Sequence, residues 1–310
     1  MKKILAAGAL TVALIFTGCG GDSADVTSSS SYAVIQDDLG REVTIKEKPE
    51  RIVVTSASLL EPLHALGANI VGRPDSKNVM PDWAKDIPSV GAVYQIDIER
   101  LLACQPDLVI LTKGMNERLL DVLAENKIPA LVVEMKTLDD VTRSLETFGK
   151  ITGTEDAAKQ IAGQMYTDIN DTLEFLPIER KRVAILHSTA QGLTVQLEGS
   201  IAGSVVDILG WENVAAGMTP LENNPDAAPY SMETLAEQNP EIIFVTSMGD
   251  ADEIKKNMQE MIDSNDAWQA IGAVKNNRIY YLPQNLFLLS PGLNYPAAVK
   301  YVVKLIYSAP

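Results

Sequence analysis

The stretch Thr154–Leu176 reads TEDAAKQIAGQMYTDINDTLEFL, and the division of the whole chain turns on it. Ile161, Met165, Ile169, Leu173 and Leu176 recur every three or four residues, which places them on one face of a helix. Thr154 is placed to cap its start, and Glu155 and Asp156 put negative charge where the helix dipole favours it. Pro177 ends it, because the residue before a proline is pushed out of the helical region. At 1.5 Å per residue the expected helix spans roughly 35 Å, about one domain diameter. Each flank is a region of a little over a hundred residues that alternates strand-like and helix-like segments. A long rod between two similar halves is the expected frame, with 33–153 as the first lobe, 154–176 as the linker helix and 177–310 as the second lobe.

Working outward, the first half offers a hairpin around Asp37-Asp38-Leu39-Gly40, then a buried-strand run Arg51–Val54 and a helix from about Ser58 to Leu66. A short strand at 69–72 and a loop over 73–95 follow. Next come a helix near Asp97–Cys104, strand Asp107–Leu111, helix Glu117–Glu125, strand Ala130–Val133 and helix Leu138–Gly149. The second half reads as strands at 182–186, 193–197, 241–245 and 278–282. Its helices fall at 201–209, 232–237, 252–262 and 295–307. Apolar strands flanked by helices require an α/β fold with a parallel sheet covered on both faces.

The halves also resemble each other. Glu99-Arg-Leu-Leu-Ala-Cys-Gln-Pro106-Asp-Leu-Val-Ile-Leu-Thr112 aligns without gaps on Glu233-Thr-Leu-Ala-Glu-Gln-Asn-Pro240-Glu-Ile-Ile-Phe-Val-Thr246. Duplicated lobes set equivalent loops facing one another, and ligands of open α/β sheets bind at the carboxyl ends of strands. The loops after Thr112 and Thr246 are therefore the expected jaws: Lys113-Gly114-Met115-Asn116 and Ser247-Met248-Gly249-Asp250.

Composition narrows the function. The 310 residues carry a formal charge of −15, with 46% hydrophobic and 22% charged residues. Such a chain is globular, and it lacks the clustered Lys and Arg that nucleic acid demands. Lys2 and Lys3, the apolar run Ile4–Phe16 and Gly18-Cys19 form a signal segment over 1–18, with Cys19 as the candidate lipid-bearing residue. Residues 19–32 form a polar tether. With Cys19 lipidated, Cys104 has no disulfide partner and reads as a small buried hydrophobe. Two histidines, His64 and His187, both read as structural, exclude a bare zinc or manganese site. A dinucleotide fingerprint, a Walker loop and a nucleophile elbow are all missing, so the chain is not read as an enzyme and has no cofactor of its own.

The ordered set Arg51-Ile-Val-Val, Leu66-Gly67, Val71-Gly72, Glu99, Pro106-Asp107-Leu-Val-Ile, Pro240-Glu-Ile-Ile and Lys275-Asn-Asn-Arg-Ile-Tyr280 resembles the substrate-binding proteins of ABC importers for iron-siderophores, heme and vitamin B12. The resemblance runs from about residue 35 to the C-terminus. It implies two Rossmann-like lobes joined by one rigid helix, with the ligand in the cleft between them. It further implies an extracytoplasmic, lipid-anchored monomer that delivers its ligand to an ABC permease and its ATPase. Family members dock onto permease arginines through a glutamate on each lobe; the matching positions here are Glu117 and Glu233, with Glu61 a further candidate. The segment Ala267-Trp268 with Ala273–Tyr280 is most similar to heme-receptor lipoproteins of Gram-positive surface uptake systems. By that likeness Tyr94 and Met248 match the positions of the iron ligands, Met248 standing where those receptors place histidine. Lys113, Met115, Trp83, Tyr230 and Phe287, with Met80, are the expected walls. Heme leads and cobalamin is the main rival. An anionic ferric siderophore fits less well, because only Arg73, Lys77 and Lys113 are supplied where an arginine cluster is wanted. A nitrogenase-like subunit is a distant alternative, opposed by the scarcity of cysteine.

Overall fold

The computed structural model describes residues 31–76, 80–189 and 192–307. The signal segment, Cys19, nearly all of the tether and Lys77 lie outside the described residues.

The first half opens with the hairpin β1 (Ala33–Gln36) and β2 (Glu42–Ile45), paired from Ala33 opposite Ile45 to Gln36 opposite Glu42. Asp37 holds its turn by accepting the backbone N–H groups of Leu39 and Arg41. In chain order there follow β3 (Ile52–Val54), α1 (Leu60–Ala65), β4 (Ile70–Asp75), β5 (Ser89–Ala92), β6 (Gln95–Ile96), α2 (Ile98–Ala103), β7 (Leu108–Thr112), α3 (Leu120–Glu125), β8 (Ala130–Val133) and α4 (Leu138–Thr152). Strands 3 to 8 form one six-stranded sheet in the order β6-β5-β4-β3-β7-β8, parallel except for the β5–β6 pair. The expected loop over 73–95 thus contains two strands. Ser89-Val90-Gly91-Ala92 is too short and too rich in small residues to show a strand period in the sequence.

The rod is α5 (Glu155–Leu173), nineteen residues and about 28 Å long. It stops three residues short of Leu176, and Leu176 closes a last tight turn onto the Leu173 carbonyl. Thr154 does not cap it through its side chain; the hydroxyl donates instead to the Leu66 carbonyl and shares a hydrogen bond with Thr152. Ala158, Met165 and Ile169 are its buried residues, and it packs lengthwise on α4 and on the final helix, α12 (Tyr295–Tyr307).

The second half comprises β9 (Arg182–Thr189), β10 (Gly192–Gln196), α6 (Ile201–Ile208), β11 (Glu212–Asn213), β12 (Ala227–Pro229), α7 (Met232–Gln238), β13 (Ile242–Ser247), α8 (Ala251–Ser264), the one-turn α9 (Asp266–Gln269) and α10 (Gly272–Lys275), β14 (Ile279–Tyr281), α11 (Gln284–Phe287) and α12. Its sheet runs β12-β10-β9-β13-β14, with β11 alongside β9. β9, β13 and β14 are parallel, while β10 is antiparallel to both its neighbours. The repeat is visible in the backbone. Asp97 and Ser231 N-cap α2 and α7 through their side chains. Gln105 (φ 48°) and Asn239 (φ 42°), aligned with each other and each preceding a proline, both adopt the left-handed conformation that non-glycine residues seldom use.

The two sheets are not independent bodies. One apolar cluster joins Ile52, Ile110 and Leu131 of the first sheet to Val183, Ile185 and Phe244 of the second, by way of Phe148, Met165 and Val299 on α4, α5 and α12. The fold is thus α/β with two lobes, held together along one side by helices and open on the other.

Candidate functional site

Parallel strands of both sheets end at the open side, where open α/β sheets place their ligands. A cavity of about 270 Å³ lies there, walled by both lobes. From the first sheet come Ser56, Tyr94, Thr112, Lys113, Met115 and Lys136; from the second come His187, Thr194, Gln196, Asp226, Met248 and Phe287. A neighbouring hollow of about 360 Å³, with Asp250, Met258 and Met261 in its wall, belongs to the second lobe alone and shares only Met248 with the cleft.

Tyr94 is presented by a tight hairpin. Gly91 sits at φ +100°, and a Cβ there would stand 2.8 Å from the Gln95 carbonyl oxygen, so β5 can turn into β6 only with glycine at this point. The turn throws Val93-Tyr94 outward. Two side chains beyond β7 hold it: buried Asn116 donates to the Val93 carbonyl (3.1 Å) and Arg118 to the Tyr94 carbonyl (3.1 Å). Met248 follows β13. Its backbone N–H donates to Ser188, and Gln284 donates to the Ser247 hydroxyl (3.2 Å) and the Gly249 carbonyl (2.8 Å) on either side of it. The two jaws meet: Tyr94 Oη stands 3.9 Å from Met248 Sδ, although the side chains are 154 residues apart in sequence. Both stay exposed, 60% and 43%, so they form the rim and not the floor.

The inner wall is polar but electrically balanced. Lys136, just after β8, bonds Asp226 of the second lobe and Glu134 (3.1 Å); Lys113 bonds Glu134 as well (2.8 Å). Burial alone would raise the Glu134 carboxyl, but the lysine hydrogen bonds and charges outweigh it and hold the group below its ordinary range. Two lysines against two carboxylates leave no net positive field for a highly anionic guest. Arg73 does not supply one either, since its guanidinium bonds the carbonyls of Pro74, Ala84 and Lys85 and the Asp75 carboxylate. On the floor, the Thr112 hydroxyl and the Gln196 side-chain oxygen are buried without a protein partner among the described residues. His187 also faces the cavity; burial lowers its pKa and keeps the ring neutral.

The structure brings together Tyr94, Met248, Lys113, Met115 and Phe287 from the residues singled out in the sequence. Trp83 and Tyr230 lie elsewhere. Trp83 stacks on His64 (3.8 Å between ring centroids) and donates to Glu61 on the outer side of α1. Tyr230 stacks on Trp268 and bonds the Met232 sulfur (3.1 Å). Met80 likewise lies outside the cleft wall, on a separate hollow beside Glu61. Aromatic residues serve cores and cavities equally, and their spacing in the chain does not separate the two. Sequence reasoning missed Ser56, Thr194, Gln196 and the cavity face of His187; the alternation of Thr194 and Gln196 about buried Val195 in β10 was the signal that could have found those two.

Glu233 is exposed in the first turn of α7, and Glu117, half-buried, accepts the Gly114 N–H at 2.7 Å. Cys104 is buried against Gly72, and burial pushes its thiol pKa up, as expected of a packing residue. Among the described residues no cluster of His, Cys, Asp or Glu side chains is suited to a bare metal ion, and no helix is long and apolar enough to cross a membrane.

Comparison with known proteins agrees with this architecture. The high-affinity heme uptake system protein IsdE of Staphylococcus aureus is 25% identical over 260 residues, 83% of this chain and 87% of that protein. An ABC transporter substrate-binding protein from Listeria monocytogenes superposes with a TM-score of 0.75 at 26% identity, covering 85% of this chain and all (100%) of that one. S. aureus IsdE complexed with heme superposes at 0.72 with 24% identity, over 83% of this chain and 98% of its own. The family profile described as periplasmic binding protein matches residues 52–286, and the chain belongs to that family, whose members here are substrate-binding components of ABC transporters and not enzymes.

Proposed function

We propose that the protein is an extracytoplasmic receptor, lipid-anchored through Cys19 and acting as a monomer, that captures an iron-bearing macrocycle and hands it to an ABC permease and its ATPase. Heme is the favoured cargo. The observation that carries the reading is the contact of Tyr94 Oη with Met248 Sδ across the cleft, since whatever occupies the cavity is gripped from both lobes at that rim. Tyr94 is the proposed iron ligand, its phenol oxygen suiting ferric iron. Met248, a thioether on an exposed rim, is the opposing contact. The cavity is smaller than most sites for drug-sized ligands, which run from about 300 to 1,000 Å³. The jaws therefore part to admit a macrocycle. Heme binding by IsdE supports this choice of cargo.

A corrinoid is the second reading, favoured by the unpaired Thr112 and Gln196 groups, which suit an amide-bearing edge. The balanced Lys113–Glu134–Lys136–Asp226 set counts against multiply anionic ferric siderophores. Glu233 and Glu117 are the proposed docking carboxylates, Glu117 after release of its bond to Gly114.

The test is a titration of the purified protein with hemin and with cobalamins. A Soret shift that disappears in Tyr94→Ala and binds more weakly in Met248→Ala is the expected outcome. Tight corrinoid binding with no response to hemin makes cobalamin the cargo, and no saturable binding of either removes the macrocycle-receptor reading.

A further inference from the structure

Sequence spacing assigned His187 to the framework. Its surroundings make it something else. It lies near the carboxyl end of β9, opposite Thr194 of β10 and Thr246 of β13, and it forms part of the cleft wall. Its Nδ1 stands 2.9 Å from the Thr246 hydroxyl oxygen. That hydroxyl carries one proton and has two acceptors in reach, the Leu186 carbonyl at 3.3 Å and Nδ1 at 2.9 Å. When it donates to the carbonyl, its oxygen accepts from Nδ1–H and the imidazole lone pair lies on Nε2. No described residue bonds Nε2. A neutral imidazole with one nitrogen anchored as a donor and the other free toward a cavity is the arrangement by which proteins prepare a histidine to bind a metal.

We infer that His187 Nε2 coordinates the metal of the bound cargo from the second lobe. The inference rests on the receptor reading above and completes it. Tyr94 is the one metal ligand proposed from the first lobe, and the thioether of Met248 is a poorer donor to ferric iron than imidazole. Thr246 is then a positioning residue, fixing the tautomer and the ring plane. The step is a simple ligation: the Nε2 lone pair forms one bond to the metal, a water or hydroxide bound there leaves, and no electron or proton changes hands in the ring. The cargo class this selects is a ferric or cobaltic complex with an exchangeable coordination position. A chelate that already fills all six positions gains nothing from it.

The test uses the whole purified protein with two probes, hemin and aquocobalamin, each having an exchangeable axial position. Wild-type, His187→Ala, Thr246→Val and Met248→Ala proteins are compared by absorption and, for hemin, by electron paramagnetic resonance. His187→Ala is expected to change the coordination spectrum and to weaken binding by at least the roughly ten- to hundredfold seen when only a metal ligand's support is lost. Millimolar imidazole is expected to restore the wild-type spectrum in His187→Gly. Thr246→Val is expected to weaken binding without abolishing it, and Met248→Ala to change affinity while leaving the spectrum in place. Nitrogen-15 spectra of the cargo-free protein, with His64 and His187 distinguished through His187→Gln, are expected to show His187 protonated on Nδ1. Wild-type binding whose spectrum is unchanged in His187→Ala overturns this inference and leaves the receptor reading standing, as does an Nε2–H tautomer. Failure of wild type to bind either probe overturns both.

Discussion

Lys136 is the side chain through which the cleft wall of one lobe is fastened to the other, and replacing it with methionine is the most informative perturbation of the fold. The ammonium bonds Asp226 across the cleft and Glu134 on its own side, and these side chains retain only 37%, 17% and 19% of their exposure. Methionine keeps the stem and removes the charge. Breaking a fully buried pair costs about 3–5 kcal/mol, and an exposed pair contributes about 0.2–1 kcal/mol. For this half-buried case, with Lys113 still pairing Glu134, about 2 kcal/mol is expected. At this chain length that lowers Tm by roughly 3 °C. The pH dependence has a definite sign. Glu134 is held below its ordinary pKa, so its contribution is fully present above the unfolded value of about 4.3 and is lost as pH falls through the lower folded value. Urea unfolding of wild-type and Lys136→Met proteins at pH 7.5 and on acidification below pH 4 measures both effects. The variant is expected to lag by about 2 kcal/mol at neutral pH, with most of the gap closing in acid as the stranded carboxylates protonate. A neutral-pH difference under about 0.5 kcal/mol, the usual limit for an unimportant surface change, or a gap indifferent to pH, would refute the electrostatic account of this junction.

Three further outcomes are expected. Gly91→Ala forces a side chain into the left-handed region and against the Gln95 carbonyl; about 2 kcal/mol of destabilisation or more should appear in thermal melts, together with weakened hemin binding as Tyr94 is displaced. Phe148→Ala removes a fully buried ring from the cluster shared by both lobes and should cost about 3–5 kcal/mol in chemical denaturation. His187 is kept neutral by burial, so below the unfolded value near 6.5 the unfolded chain takes up a proton that the folded one resists. Stability should therefore fall with pH there in wild type and fall less steeply in His187→Gln, as read from urea curves at pH 7.5, 6 and 5.

Much of the framework was legible because period and punctuation agreed. α12 begins and ends where the apolar spacing of Tyr295–Tyr307 places it, and Pro106 and Pro240 mark equivalent turns in both lobes. The short sheet-edge elements were not legible. β5, β6 and β12 run for only two to four residues, and β5 and β12 are built mostly of glycine, alanine and serine, so packing and pairing, and not their own side chains, decide their conformation. At the site, Met248 was placed by its loop and, with Tyr94, by the family likeness, whereas Trp83 and Tyr230 were placed by residue type alone and proved to stack on His64 and Trp268. His187 illustrates the converse. A lone histidine at a strand end carries no signal until Thr246, fifty-nine residues away in the chain, is seen beside it.

The apolar cluster that runs beneath the cleft, from Ile52 through Met165 to Phe244, has a mechanical consequence. Any wide swing of the lobes would wet part of that cluster, at about 2.5 kcal/mol for every 100 Å² exposed. A wide swing of the lobes is therefore disfavoured, and the parting that admits a guest is concentrated at the lip, where Tyr94 and Met248 now touch.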